Sequence, residues 1–128
     1  YARYVQASDR GDAIGWADAF TPNGSFNSAE SSAGRDDLVA FAERYHENNG
    51  PYPRHWYNGL VITPTSDGAE GKCYALTFNV NTRSVMWTGT YKDTLVKTSK
   101  GWRFSSRHLT VDTPSNGESG KMWFLTGQ

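Results

Sequence analysis

The chain of 128 residues holds a single cysteine, Cys73. One thiol allows neither an intrachain disulfide nor a cysteine-built zinc site, and it fits a reducing compartment, so a cytoplasmic location is expected. An excess of either charge is missing too, because thirteen Lys and Arg balance thirteen Asp and Glu. With no run of like charges, the chain offers no electrostatic footprint for nucleic acid or an anionic membrane. No apolar run approaches the roughly 20 residues that cross a bilayer, and the mean hydropathy is −0.67. Signal-peptide, Gly-x-Ser-x-Gly, His-x-x-x-His and phosphate-loop patterns are not found, and neither metal nor cofactor is expected. The chain opens on Tyr1 rather than Met, which leaves room for a trimmed N-terminal piece. Asn23-Gly24-Ser25 matches a glycosylation triplet and reads as a turn.

Aromatic residues are what the chain has in quantity: 14% of it, with five Trp and seven Tyr. Large core residues and a subunit interface would absorb some of them. A ring-lined pocket is the sharper reading, since ligand sites are mostly apolar and aromatic with a few polar groups.

Periodicity divides the chain into helices first and strands later. Tyr1 to about Ser8 reads as a helix, broken by Asp9-Arg10-Gly11-Asp12. Asp12 is suited to N-cap a second helix, in which Ala13, Trp16, Ala17 and Phe20 repeat at helical spacing. Pro22-Asn23-Gly24 is expected to turn the chain, with Ser25-Phe26-Asn27 as a short strand. A third helix is predicted over Arg35 to His46, with Leu38, Phe41, Ala42 and Tyr45 as its apolar stripe, stopped by Asn49-Gly50-Pro51. His46 suits that helix end, where a cation meets the dipole. Strands follow at Arg54–Thr63, Lys72–Asn81, Val85–Thr98, with a bend at Gly89, and Trp102–Asp112. This order predicts an α+β fold with the helices on one side of an antiparallel sheet, in one domain over residues 1–128. The tail from Pro114 is rich in Gly and Ser but ends Met122-Trp123-Phe124-Leu125, which suggests docking across a pocket mouth or a partner subunit.

The succession helix, Asp9-Arg10-Gly11-Asp12, helix, Phe20-Thr21-Pro22-Asn23-Gly24, helix, Arg54-His55-Trp56-Tyr57-Asn58-Gly59, long strands, Gly89-Thr90-Tyr91-Lys92-Asp93 and Gly101-Trp102-Arg103-Phe104 resembles SnoaL-like proteins of the NTF2-like superfamily. The likeness covers nearly the whole chain, and lies nearest the scytalone dehydratase and bile-acid dehydratase branch. It implies a cone: a bent sheet wrapped around N-terminal helices, with a pocket between. Activities in the superfamily include dehydration, polyketide cyclisation, steroid isomerisation and epoxide hydrolysis, so the fold does not fix the reaction.

Three residues are the catalytic candidates. Asp9 sits where the first helix gives way to the second, and a turn aspartate is its plain structural reading. His55 opens the first long strand, and a histidine beside a carboxylate can take or give a proton at neutral pH. The resemblance implies that Asp9 orients His55, and that Tyr4, five residues before Asp9, is a pocket tyrosine able to stabilise an enolate. At 100° per residue, Tyr4 and Asp9 stand about 140° apart on one straight helix, which favours a packed ring for Tyr4.

Strand parity then selects substrate-binding candidates. Tyr57 shares a face with His55, while Trp56 and Asn58 point away. Cys73, Ala75, Thr77 and Asn79 share one face of the next strand. The resemblance sets Asn79 where the dehydratases carry His or Asp, a departure that removes a second base. Trp87, Gly89, Tyr91 and Asp93 share a face of the long strand. Tyr91 matches a substrate-binding position by resemblance, and Asp93 is either a second carboxylate or part of a surface ion pair. Trp102 is expected in the core, and Arg107 is expected to pair with a buried carboxylate. The first expectation is a cofactor-free lyase acting on a small aromatic or cyclic apolar substrate, expelling water or another small group such as formaldehyde. A polyketide cyclase or ketosteroid-type isomerase is the second expectation, and a non-catalytic binding or assembly module the third. By resemblance the protein forms a homodimer or higher homo-oligomer.

Overall fold

The computed structural model describes residues 1–112, so the expected docking of the 114–128 tail lies outside the described residues. Three helices, α1 (Ala2–Asp9), α2 (Ala13–Ala17) and α3 (Arg35–Asn49), pack on one six-stranded sheet. The strands are β1 (Phe20–Asn27), β2 (Ser31–Ala33), β3 (Pro53–Pro64), β4 (Ala69–Asn79), β5 (Ser84–Thr98) and β6 (Gly101–Val111), in the order β2-β1-β6-β5-β4-β3. All neighbours are antiparallel except β1 and β6, which run parallel. The α+β reading holds.

Each helix has a legible cause. On α3, Leu38, Phe41 and Tyr45 are buried at helical spacing, Asp36 and Asp37 lie in the first turn, and His46 lies in the last. Both charge placements favour the helix dipole. Gly50 ends the helix with φ 66°, a backbone region that side chains rarely adopt. Asp12 caps α2 as expected, its Oδ1 accepting from the Gly15 amide at 2.8 Å.

Two expectations near the start of the sheet are corrected. Phe20 begins β1 instead of ending α2, and Pro22-Asn23-Gly24 lies within that strand. Phe20 pairs with Phe104 and Ser25 with Ser106, so β1 carries extra residues between two close partners on β6. The excess is taken up as a bulge, where a proline without an N–H is harmless. β4 ends at Asn79 because the Asn79 Oδ1 accepts from the amides of Asn81 and Thr82 at 2.9 and 3.0 Å, fixing the turn. The short β2 had no expected counterpart; three residues of Ser-Ser-Ala carry little pattern.

Tyr4, Trp16, Phe20, Phe26, Phe41 and Phe104 form a linked ring cluster beneath the helices, with Leu38 fully buried beside them. Trp102 does not join it and is 51% exposed. It stands at the hairpin end of the sheet, where it lines a surface groove along α1. On the outer face of the sheet Trp56 and Tyr74 are exposed, and Trp56 stacks on Phe78. Among the described residues no helix is long and apolar enough to cross a membrane.

Candidate active site

Asp9 is the last residue of α1, where the helix dipole disfavours an anion. What holds it there is β3. Its Oδ1 lies 2.6 Å from His55 Nδ1, and both carboxylate oxygens sit 3.3 Å from the His55 amide. The His55 side chain is 5% exposed and that of Asp9 17%, so the pair is largely shielded from water. With its Nδ1–H donated to Asp9, the ring presents Nε2 as a lone pair. That nitrogen faces the Tyr45 hydroxyl at 3.4 Å. Tyr45 holds its proton well above the ordinary phenol range, first because it is buried and then because the Asp9 carboxylate is near. At neutral pH it is therefore a donor.

His55 lines a cavity of about 20 Å³ together with Tyr4, Tyr45, Trp87, Tyr91 and apolar neighbours such as Phe26 and Phe41. That space admits about one water. The surface groove along α1 is far larger, about 940 Å³, but it touches neither Asp9 nor His55. Of the pair, His55 lines the small cavity, and Asp9 is joined to it through the His55 ring.

The structure separates the remaining candidates. Tyr91 and Trp87 line the His55 cavity, with the Trp87 ring 5.8 Å from the imidazole. Tyr4 reaches the cavity only as part of the packed ring cluster, 3% exposed. Tyr57 points inward, its ring 5.3 Å from that of Tyr91. Asn79 pairs with Pro53 and commits its side-chain oxygen to the turn. Asp93 lies deeper: it forms a fully buried ion pair with Arg107, Nε to Oδ1 3.1 Å, and accepts from the Tyr1 hydroxyl at 2.7 Å. This meets the expectation that Arg107 finds a buried carboxylate, and it replaces the surface pair considered for Asp93.

Two groups escaped the sequence reading. Tyr45 belongs to the apolar stripe of α3, and nothing in that spacing separates a packed ring from one facing a histidine. Thr77 was placed on the correct face but not chosen. The register pairs it with both His55 and Trp87, so Thr77, not Asn79, is the cross-strand neighbour of the histidine. Thr77 is fully buried, and its hydroxyl has no hydrogen-bond partner among the described residues. Among those residues no group of three or more His, Cys, Asp or Glu could hold a metal ion.

Comparison with known proteins gives these residues a context. The profile of the SnoaL-like domain matches residues 1–108. No curated protein sequence matches the chain. Among solved structures, a protein of unknown function from Mycobacterium tuberculosis is 26% identical, with a TM-score of 0.84 over 94% of this chain and 77% of its own. Aln2 from a Streptomyces species is 26% identical, with a TM-score of 0.79 over 88% of this chain and 85% of its own. ActVI-ORFA from Streptomyces coelicolor is 27% identical, with a TM-score of 0.74 over 89% of this chain and 90% of its own.

Proposed function

The chain belongs to the SnoaL-like family, which includes polyketide cyclases and dehydratases, and on that premise we propose that it is a cofactor-independent acid/base lyase. His55 is the base. Its Nε2 removes a proton next to a carbonyl or from an activated benzylic carbon, while Asp9 holds the tautomer and stabilises the imidazolium that forms. A phenol stabilises the charge that moves onto the substrate oxygen. The imidazolium then protonates the leaving hydroxyl, and water departs. Loss of another small group uses the same parts.

The observation that carries this reading is the Asp9–His55 pair, 2.6 Å apart and shielded from water, opening on aromatic rings. An aromatic substrate needs roughly 150 Å³, the size of a cavity that takes benzene. Binding therefore has to widen the present space by displacing side chains that line it, such as Tyr45 and Trp87 beside His55.

The test is proton abstraction itself. Cyclic β-hydroxy ketones incubated with the protein in deuterated buffer should lose water and exchange their α-protons, read by proton NMR. His55→Gln should lower both by more than about 100-fold, in line with the usual contribution of a general base. Elimination that survives in His55→Gln sinks the reading and points to a carboxylate base of the cyclase type.

A further inference from the structure

The groove of about 940 Å³ along α1 has no part in the acid/base site, and the residues that line it are of two kinds. Its floor is apolar, for Tyr4, Ala69, Leu95 and Phe104 belong to the buried core. Two further apolar side chains line it from outside that core: Ile62 is 47% exposed and Trp102 51%. One wall is α1, where Arg3, Gln6 and Arg10 follow one another at i, i+3 and i+7, on the flank of the face that buries Tyr4 and Ala7. Eight helical residues give that wall a length of about 12 Å. The β5–β6 hairpin adds Lys100 and Arg103 beside Trp102.

Charge is distributed unevenly here. The chain as a whole is neutral. This groove, however, collects Arg3, Arg10, Lys100 and Arg103 against one carboxylate, Asp18. Asp18 is already held by Arg35, and Arg10 by Asp12. Arg3, Lys100 and Arg103 have no carboxylate partner among the described residues. A single exposed Trp or a single unpaired surface cation is ordinary. Here both kinds fall in one groove, and its volume lies within the range of about 300–1,000 Å³ typical of small-molecule sites. A cleft of one sign with apolar walls focuses its field and concentrates counter-ions inside it.

We propose that the groove along α1 is a further binding site, which takes an amphipathic carboxylate: an apolar chain on the floor between Ile62 and Trp102, and the acid group on Arg3 and Lys100. A bare anion would gain little there, because exposed ion pairs contribute little on their own. An uncharged chain would gain the floor and leave the cations unanswered. The two features together select a ligand that carries both. The site is independent of the acid/base reading and separate from the His55 cavity, although Tyr4 lines both, so that one ring stands between them.

The test titrates the protein with decanoate and with its uncharged analogue decanol, followed by backbone amide shifts in proton–nitrogen-15 NMR. Decanoate should saturate a site whose shifts gather on α1 and on residues 100–104, and it should bind more tightly than decanol. Arg3→Glu with Lys100→Glu should weaken decanoate by about 10-fold or more, because each reversal removes an exposed ion pair and adds a repulsion. Decanol binding should not change in that variant. Trp102→Ala should weaken both ligands alike, by about 10-fold, since it takes apolar area from the groove. All three positions are exposed, so the variants should keep the fold, checked by thermal melts. Decanoate binding that ignores either the charge reversal or Trp102→Ala overturns the proposal. Shifts centred on the exposed Trp56 and Tyr74 of the outer sheet face, or the lack of saturable binding, overturn it as well. His55→Gln keeps this site apart from the lyase reading: it should bind decanoate as the wild type does, and loss of binding there would put the ligand in the acid/base site and sink the proposal.

Discussion

Asp9→Asn is the perturbation that separates the chemistry of the site most cleanly from its architecture. Asparagine has almost the same shape, and its carbonyl oxygen can still accept from His55 Nδ1. What disappears is the charge. A hydrogen bond to a charged partner contributes about 1.5–3 kcal/mol and a neutral one about half of that, so the exchange removes roughly 1–1.5 kcal/mol. Part of this returns, because Asp9 ends α1 and a neutral residue there relieves about 0.3–1 kcal/mol of conflict with the helix dipole. The net loss is about 0–1.2 kcal/mol, a fall in Tm of at most roughly 5 °C for a domain of this size. Catalysis should suffer far more, by about 100-fold or beyond, because the imidazolium loses its counter-charge. Nitrogen-15 NMR of the imidazole provides the decisive assay. In the wild type His55 should carry its proton on Nδ1, with an unprotonated Nε2. In the variant the amide can present either its oxygen or its NH2, and the ring should become a mixture of tautomers. A wild-type ring protonated on Nε2, or ring shifts that ignore the substitution, would refute the reasoning.

Other outcomes follow from groups already placed. Thr77→Val removes a buried hydroxyl that has no partner among the described residues, so it should raise stability by about 1–2 kcal/mol in denaturant melts while lowering elimination activity. Gly89 cannot take a side chain without a shift, since a Cβ there would stand 2.5 Å from the Thr110 carbonyl oxygen. Gly89→Ala should cost about 1–3 kcal/mol, seen as a lowered denaturation midpoint. Burial raises the pKa of Tyr4, Tyr45, Tyr57 and Tyr91 above the ordinary value of 10.0. Because the folded value exceeds the unfolded one, the stability these phenols confer is complete below pH 10 and is lost as pH rises beyond it. The share of the phenolate absorbance that belongs to these four buried rings should therefore grow in step with alkaline unfolding and not before it, whereas exposed rings such as Tyr52 and Tyr74 are free of that constraint.

Much of the architecture is visible in the residues because burial and period coincide. Leu38, Phe41 and Tyr45 repeat at helical spacing, and Cys73, Ala75 and Thr77 alternate along β4 as buried residues between less buried ones. Asp9 and His55 were legible as a pair through family resemblance; spacing alone offers no reason for residues 46 apart to meet. Three features were beyond that reach. The bulge in β1 turned a proline-glycine segment from a turn into part of a strand, because pairing on both sides outweighed local preference. Cross-strand register decided that Thr77 and not Asn79 sits beside the histidine, and a shift of two residues cannot be read from alternation. Trp102 has the composition of a core residue but stands where no helix covers the sheet, and coverage is a property of the fold.

The parallel pairing of β1 with β6 carries a consequence for how the chain reaches this state. Phe26 pairs with Arg107, and 107 − 26 sets them 81 positions apart, whereas β3 to β6 are joined by successive hairpins. Local hairpins close quickly, but a contact between distant segments must first meet its loop-closure entropy. During synthesis β1 emerges early and has only the small β2 to pair with until the final strand is made. The meander is thus free to form as a unit, while the N-terminal third waits for a seat along β6. Because Asp9 belongs to that waiting third and His55 to the meander, joining the two is also the event that creates the site. Proton chemistry would appear only at the end of folding, and its recovery after dilution from denaturant would time the last closure of the chain.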